Sequence, residues 1–152
     1  MKIKLLFAAS IVTSGLIGQT YQEITGTPFS TGANPSIEFF DKDGDGDKDV
    51  MICAYDHTVS APFSRLYEND GSGSFTLVTG PFEGIHLGDL AIGDLDGDND
   101  LDMIIIGKNS SNNSTTKVYL NNGSGVYTIK PGTGLPDIGA GCAELADLDA
   151  DG

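Results

Sequence analysis

The chain has 152 residues, two cysteines, no tryptophan and a formal net charge of −14. That length accommodates one ordinary domain. The charge excludes a nucleic-acid partner, because no basic stripe offsets it and its field repels phosphate.

Met1 to Lys4 is a short basic start, and Leu5 to Gly18 is apolar or small throughout. This pattern predicts a secretory signal peptide over residues 1–18, with cleavage near Gly18. The stretch is too short and too broken by Ser and Gly for membrane insertion. Secretion or display at the cell surface follows as the expected location. Tyr21 to Gly26 aligns with Phe75 to Gly80 and with Tyr127 to Gly132. All three read as the fourth strand of a unit, although strands one to three are missing before the first. That first copy is expected to be the closing strand of the last blade of a ring; a chance match in a leader is the alternative.

Asp41-Lys42-Asp43-Gly44-Asp45-Gly46-Asp47-Lys48-Asp49 places five carboxylates at alternate positions. The pattern returns at Asp94-Leu95-Asp96-Gly97-Asp98-Asn99-Asp100-Leu101-Asp102 and opens again at Asp147, Asp149 and Asp151. Asp41, Asp94 and Asp147 are spaced by 53 residues and 53 again. These loops hold 13 of the 22 acidic residues, so the acidity is local before it is general. Such self-repelling loops call for a cation at their centre. Calcium suits them, taking about six to eight oxygen ligands in a flexible shell.

Each loop is followed by a short β-prone run, Val50 to Tyr55 and then Met103 to Gly107, apolar on both faces. After a polar turn, Arg65 to Phe75 and Lys117 to Tyr127 each read as strand, Gly/Asn/Ser turn and strand. Ile85 to Gly93 and Ile138 to Ala146 lead into the second and third loops at one offset. One unit is therefore strand, acidic loop, strand, turn, strand, hairpin, strand, without an amphipathic helix. The fold class is all-β, a β-propeller of four-stranded antiparallel blades. Expected blades cover 34–82 and 83–133, with the start of another at 134–152. About two and a half units imply a piece of a longer ring.

Cys53 and Cys142 fall two repeat units apart and read as small buried residues too distant to bridge. His57 and His86 stand without zinc-ligand neighbours or a nucleophile at motif spacing, and no nucleophile elbow or phosphate loop occurs. Asn109, Asn112, Asn113 and Asn122 lie in Asn-X-Ser/Thr triplets, whose meaning depends on the host.

The acidic loops between strands, with hairpins of the Leu66-Tyr67-Glu68-Asn69-Asp70-Gly71-Ser72-Gly73-Ser74-Phe75 kind, resemble the FG-GAP/VCBS repeat. That family includes the N-terminal β-propeller of integrin α subunits and many secreted bacterial proteins. The resemblance implies calcium in the loop between the first and second strands of each blade. By position it implies side-chain ligands Asp41, Asp43, Asp45 and Asp49, then Asp94, Asp96, Asp98 and Asp102. Asp47 and Asp100 would bind through their carbonyls, leaving their carboxylates toward water. In the third loop Asp147, Asp149 and Asp151 match without a closing ligand. An EF-hand does not fit, since its twelfth position needs Glu and here is Ile52 or Ile105.

Leu95 and Leu101 are placed to tuck the second loop onto its blade, where the first loop has Lys42 and Lys48. Those ammonium groups partly neutralise the first loop, so its calcium affinity is expected to be the weaker. The resulting reading is a secreted, non-enzymatic, calcium-binding adhesion or ligand-binding module presenting blade-edge loops to a protein or glycan. The alternative is the propeller part of a secreted polysaccharide lyase or hydrolase, because fold alone does not fix function.

Overall fold

A computed structural model describes residues 26–146 of the chain. The expected signal peptide, the strand expected at 21–25 and the third acidic loop with Asp147, Asp149 and Asp151 lie outside these residues. Eight strands follow in order: β1 (Ala33–Phe40), β2 (Asp49–Asp56), β3 (Ala61–Asn69), β4 (Phe75–Val78), β5 (His86–Gly93), β6 (Asp102–Lys108), β7 (Ser114–Leu120) and β8 (Thr128–Lys130). They form two four-stranded sheets, β1-β2-β3-β4 and β5-β6-β7-β8, with every neighbouring pair antiparallel. The all-β expectation holds, and no helix occurs among the described residues.

The strand pleat explains why β2 reads as apolar on both faces. Val50, Ile52 and Ala54 point to one side with Phe63 and Tyr67. Met51 and Cys53 point to the other, where they join Phe40 and Leu66 against the second sheet. That inter-sheet core is completed by Ile85, Leu90, Met103, Ile105, Tyr119 and Tyr127. Each fully buried Ile, Leu or Met here contributes about 1.5–3 kcal/mol through removal from water.

An aromatic trio repeats with the blades. Phe29 packs on Tyr67 and Phe75, each with ring centroids 4.9 Å apart. Phe82 packs on Tyr119 at 5.2 Å and on Tyr127 at 5.6 Å. The tyrosine hydroxyls also accept main-chain N–H bonds, Tyr67 from Ser30 at 3.4 Å and Tyr119 from Glu83 at 2.9 Å. The linker before each inner strand is thereby fastened to the sheet it precedes.

The two inner strands lie side by side, joined by the Ser36 hydroxyl donating to Asp89 Oδ1 at 2.5 Å. Asp89 Oδ2 accepts from the Ala143 N–H at 3.1 Å, and Gly107 N–H donates to the Ile138 carbonyl at 2.9 Å. The segment leading toward the third loop thus lies along the second sheet much as β5 lies along the first. Cys53 is buried as expected, whereas Cys142 is exposed, and both thiols are free. The sequence reading of Cys142 as a buried residue is corrected. Cys53 lies mid-strand between its cross-strand partners Ser36 and Ser64 and is covered by the inter-sheet core, but Cys142 stands in a segment with no sheet beyond it among the described residues.

Candidate functional site

Both acidic loops join the inner strand of a sheet to its second strand, β1 to β2 and β5 to β6. Their turns are set by the first aspartate of each. Asp41 accepts N–H bonds from Gly44 at 2.8 Å and Gly46 at 2.9 Å. Asp94 accepts from Gly97 and Asn99, both at 2.8 Å. Gly44, Gly46, Gly97 and Asn99 have positive φ, which these residues adopt at small cost. Burial opposes ionisation of Asp41, but these N–H donors prevail and hold its carboxyl below the ordinary value. The N–H groups of Asn99 and Gly97 do the same for Asp94.

The ninth aspartate closes each loop. Asp49 Oδ2 accepts from the Lys42 N–H at 3.0 Å and Oδ1 from the Asn69 N–H at 2.9 Å. Asp102 repeats both bonds, Oδ2 to Leu95 N–H and Oδ1 to Asn121 N–H, each at 2.8 Å. These two carboxylates are 2% and 0% exposed, so they brace the loop start against the hairpin from inside the protein. Burial raises the Asp49 carboxyl above its usual range despite these donors and the Lys42 charge.

Three carboxylates converge in each loop. One oxygen from each of Asp41, Asp43 and Asp49 lies within 4.8 Å of the others, and Asp94, Asp96 and Asp102 repeat the arrangement. Asp45 and Asp98 lie outside these triads, and their Oδ1 atoms accept from the N–H groups of Asp47 at 2.9 Å and Asp100 at 3.0 Å. Asp47 and Asp100 are half-buried, and their carboxylates lie beside the hairpins. A Cβ on Gly71 would meet Asp47 Oδ2 at 2.2 Å, and one on Gly123 would meet Asp100 Oδ2 at 2.6 Å.

The loops differ in their cations. Lys42 is 4% exposed, and its ammonium contacts Asp43 Oδ2 at 2.5 Å and Glu68 at 3.6 Å. Lys48 is exposed. In the second loop Leu95 takes the place of Lys42, and Leu101 packs against the inter-sheet core. The repeated carboxylates of that loop oppose one another. Burial, then Asp98 and Asp102, raise the Asp96 carboxyl, and burial, then Asp98, raise that of Asp100.

The donor set of each triad is all oxygen, which suits a hard divalent cation. Among the described residues, Asp43 Oδ1 is a buried oxygen with no hydrogen-bond partner, and Asp43 belongs to the first triad. A residue that sequence reasoning missed is Asn121, whose buried carboxamide touches both loops. Its signal was the repetition of Tyr67-Glu68-Asn69 as Tyr119-Leu120-Asn121. His57 and His86 flank Tyr55, with centroids 5.2 and 5.1 Å from it, away from both triads.

Two open, four-stranded antiparallel blades, packed face to face and each with its acidic loop at one corner, define a module of β-propeller type. The chain belongs to the FG-GAP-like repeat family, whose model matches residues 41–105 and 94–152. Each match begins at the first aspartate of an acidic loop. Searches of curated proteins and of solved structures return no significant match.

Proposed function

We propose that this chain is a calcium-binding propeller module of a secreted or cell-surface protein, with structural ions in the acidic loops. The observation that carries this reading is the convergence of three carboxylate oxygens within 4.8 Å, twice, at equivalent positions. Asp41, Asp43 and Asp49 would hold one ion, and Asp94, Asp96 and Asp102 the other. Asp45 and Asp98 complete the shells by reorienting, and Asp47 and Asp100 supply carbonyl oxygens. Asp147, Asp149 and Asp151 would begin a further site of the same kind.

The ion's part is electrostatic. It neutralises carboxylates that otherwise repel across a few ångströms, and so fixes the corner between inner and second strands. The hairpins and blade-edge loops held in place by these corners present a surface to a protein or glycan. The basic, apolar start of the chain supports export, and FG-GAP repeats are typical of extracellular proteins.

Thermal unfolding in millimolar calcium and in excess chelator tests the reading. Calcium is expected to raise the melting temperature, with magnesium much less effective. Identical melts in calcium and chelator, with no heat on calcium titration, would overturn it.

A further inference from the structure

The Asn121 carboxamide lies between the two acidic loops. Its Nδ2 donates to the Lys42 carbonyl of the first loop at 2.7 Å and to the Leu101 carbonyl of the second at 3.2 Å. Its Oδ1 accepts the Asn122 N–H at 2.8 Å, and its own N–H donates to Asp102. The side chain is 6% exposed, so water does not readily replace a partner that moves away. In the first blade Asn69 Nδ2 makes the corresponding internal bond, to the Lys48 carbonyl at 3.2 Å. The bond to Lys42 is what Asn121 adds, and it crosses from one blade to the next. The Lys42 side chain also lies close to Gly125 of the second hairpin, where an added Cβ would come 2.8 Å from its Cδ.

We infer that Asn121 is a positioning residue that couples the two acidic loops, so that a divalent cation in either strengthens binding in the other. This rests on the calcium reading above. On the calcium reading, each loop would be looser while its carboxylates repel and better ordered once a cation lay among them. With both loops ordered, the Lys42 and Leu101 carbonyls are both in place for the two N–H bonds of one amide. Asp49 holds the Lys42 N–H and Asn121 the Lys42 carbonyl, so a first loop ordered by a cation would steady that carbonyl and through it the carboxamide. The carboxamide then holds Leu101 beside Asp102, and the second loop closes with less of its ordering left to do. The coupling is reciprocal by thermodynamic necessity.

The test uses the full chain, calcium chloride and two disabling pairs, Asp41→Asn with Asp43→Asn and Asp94→Asn with Asp96→Asn. Calorimetry gives the affinity of each loop with the other intact or disabled. Disabling one loop is expected to weaken the other about fivefold, and Asn121→Leu is expected to abolish that difference. The Asn121 side-chain amide resonances of the protein with its second loop disabled provide a measurement that needs no change at Asn121. They should shift as calcium fills the first loop, together with the Leu101 and Asp102 backbone amides. Equal affinity of a loop whether its neighbour is intact or disabled, or resonances of the second loop that stay still, would overturn the coupling and leave the calcium reading intact. Absence of calcium binding at both loops would overturn the two together.

Discussion

The Asp47 carboxylate rests against the backbone of Gly71, at the tip of the hairpin between β3 and β4, so that an added Cβ there would have to displace it. Asp100 and Gly123 repeat the relationship in the second blade. Gly71 and Gly123 also have φ of 72° and 76°, so alanine would be strained at either place even without its neighbour. Gly71→Ala and Gly123→Ala should each destabilise the protein by about 1–3 kcal/mol in urea unfolding. Gly132→Ala, where φ is also positive but no atom lies within 4 Å of the added carbon, isolates the backbone part and should cost less.

Asp49 and Asp102 have a structural task that does not depend on an ion. Each accepts one N–H from the loop start and one from the hairpin, through different oxygens. Asparagine keeps one acceptor and turns an amide toward the other N–H. Asp49→Asn and Asp102→Asn should therefore destabilise by about 2–3 kcal/mol, in chelator as well as in calcium. Asp45→Asn and Asp98→Asn, in exposed turns, should leave the chelator melt nearly unchanged and lower only the gain from calcium.

The strand order, the acidic corners and the Gly-rich hairpins were legible in the sequence, because each depends on short-range chemistry. Alternation sets the faces of β2 and β6, and the glycine and asparagine turns set where the chain reverses. What lay hidden depends on which units come to face each other. Asn121 sits in an Asn-Asn-Gly-Ser-Gly run that reads as a turn, and nothing nearby reveals a partner 79 residues earlier. Cys142 aligns with Asp89 and Ser36 of the earlier inner strands, yet it is exposed where they are half-buried, because among the described residues no sheet packs on its segment as the second packs on the first. The burial of Lys42 was equally unreadable, since a lysine between two aspartates is ordinarily a solvated residue.

The Lys42–Glu68 pair of the first blade is replaced in the second by Leu95 and Leu120. An ammonium already on Asp43 has to be displaced, or its repulsion tolerated, when a divalent cation enters the first loop. Calcium should therefore bind more tightly at the second loop than at the first. Lys42→Leu combined with Glu68→Leu removes both charges and should bring the first loop toward the second, by about tenfold in affinity. Calorimetric titration of the variant against the parent checks this, and a first loop already the tighter in the parent would reverse the ordering.

The two cysteines should differ in reactivity. Burial pushes the Cys53 thiol up to about 12, while Cys142 is exposed. A thiol-disulfide reagent at pH 8 should label Cys142 rapidly and Cys53 only on unfolding. Because its folded value is raised, the contribution of Cys53 to stability is full below its ordinary value of 9.0. It is lost as pH rises from there toward 12. Cys53→Ala should flatten the fall in stability across that alkaline window while leaving the profile at neutral pH unchanged in shape.

Leu87 has φ of 56°, a conformation that β-branched and bulky residues rarely hold, and it is 46% exposed. It marks a bulge in the pairing of β5 with β6, and Asn34, with φ of 52°, marks the corresponding bulge in β1. The first blade thus uses the residue type that tolerates this backbone, whereas the second does not. The adjoining Gly88 is fixed by its surroundings, since a Cβ there would lie 1.9 Å from the Ile106 carbonyl oxygen. The bulge cannot relax through that neighbour, so the strain stays at Leu87. Leu87→Asn should relieve it and stabilise the protein by about 1 kcal/mol, the half-exposed side chain giving up little burial in return. Urea unfolding of the variant, with Asn34→Leu as the converse substitution, measures both directions; a loss of stability on Leu87→Asn would mean that the leucine side chain contributes more by packing than its backbone costs.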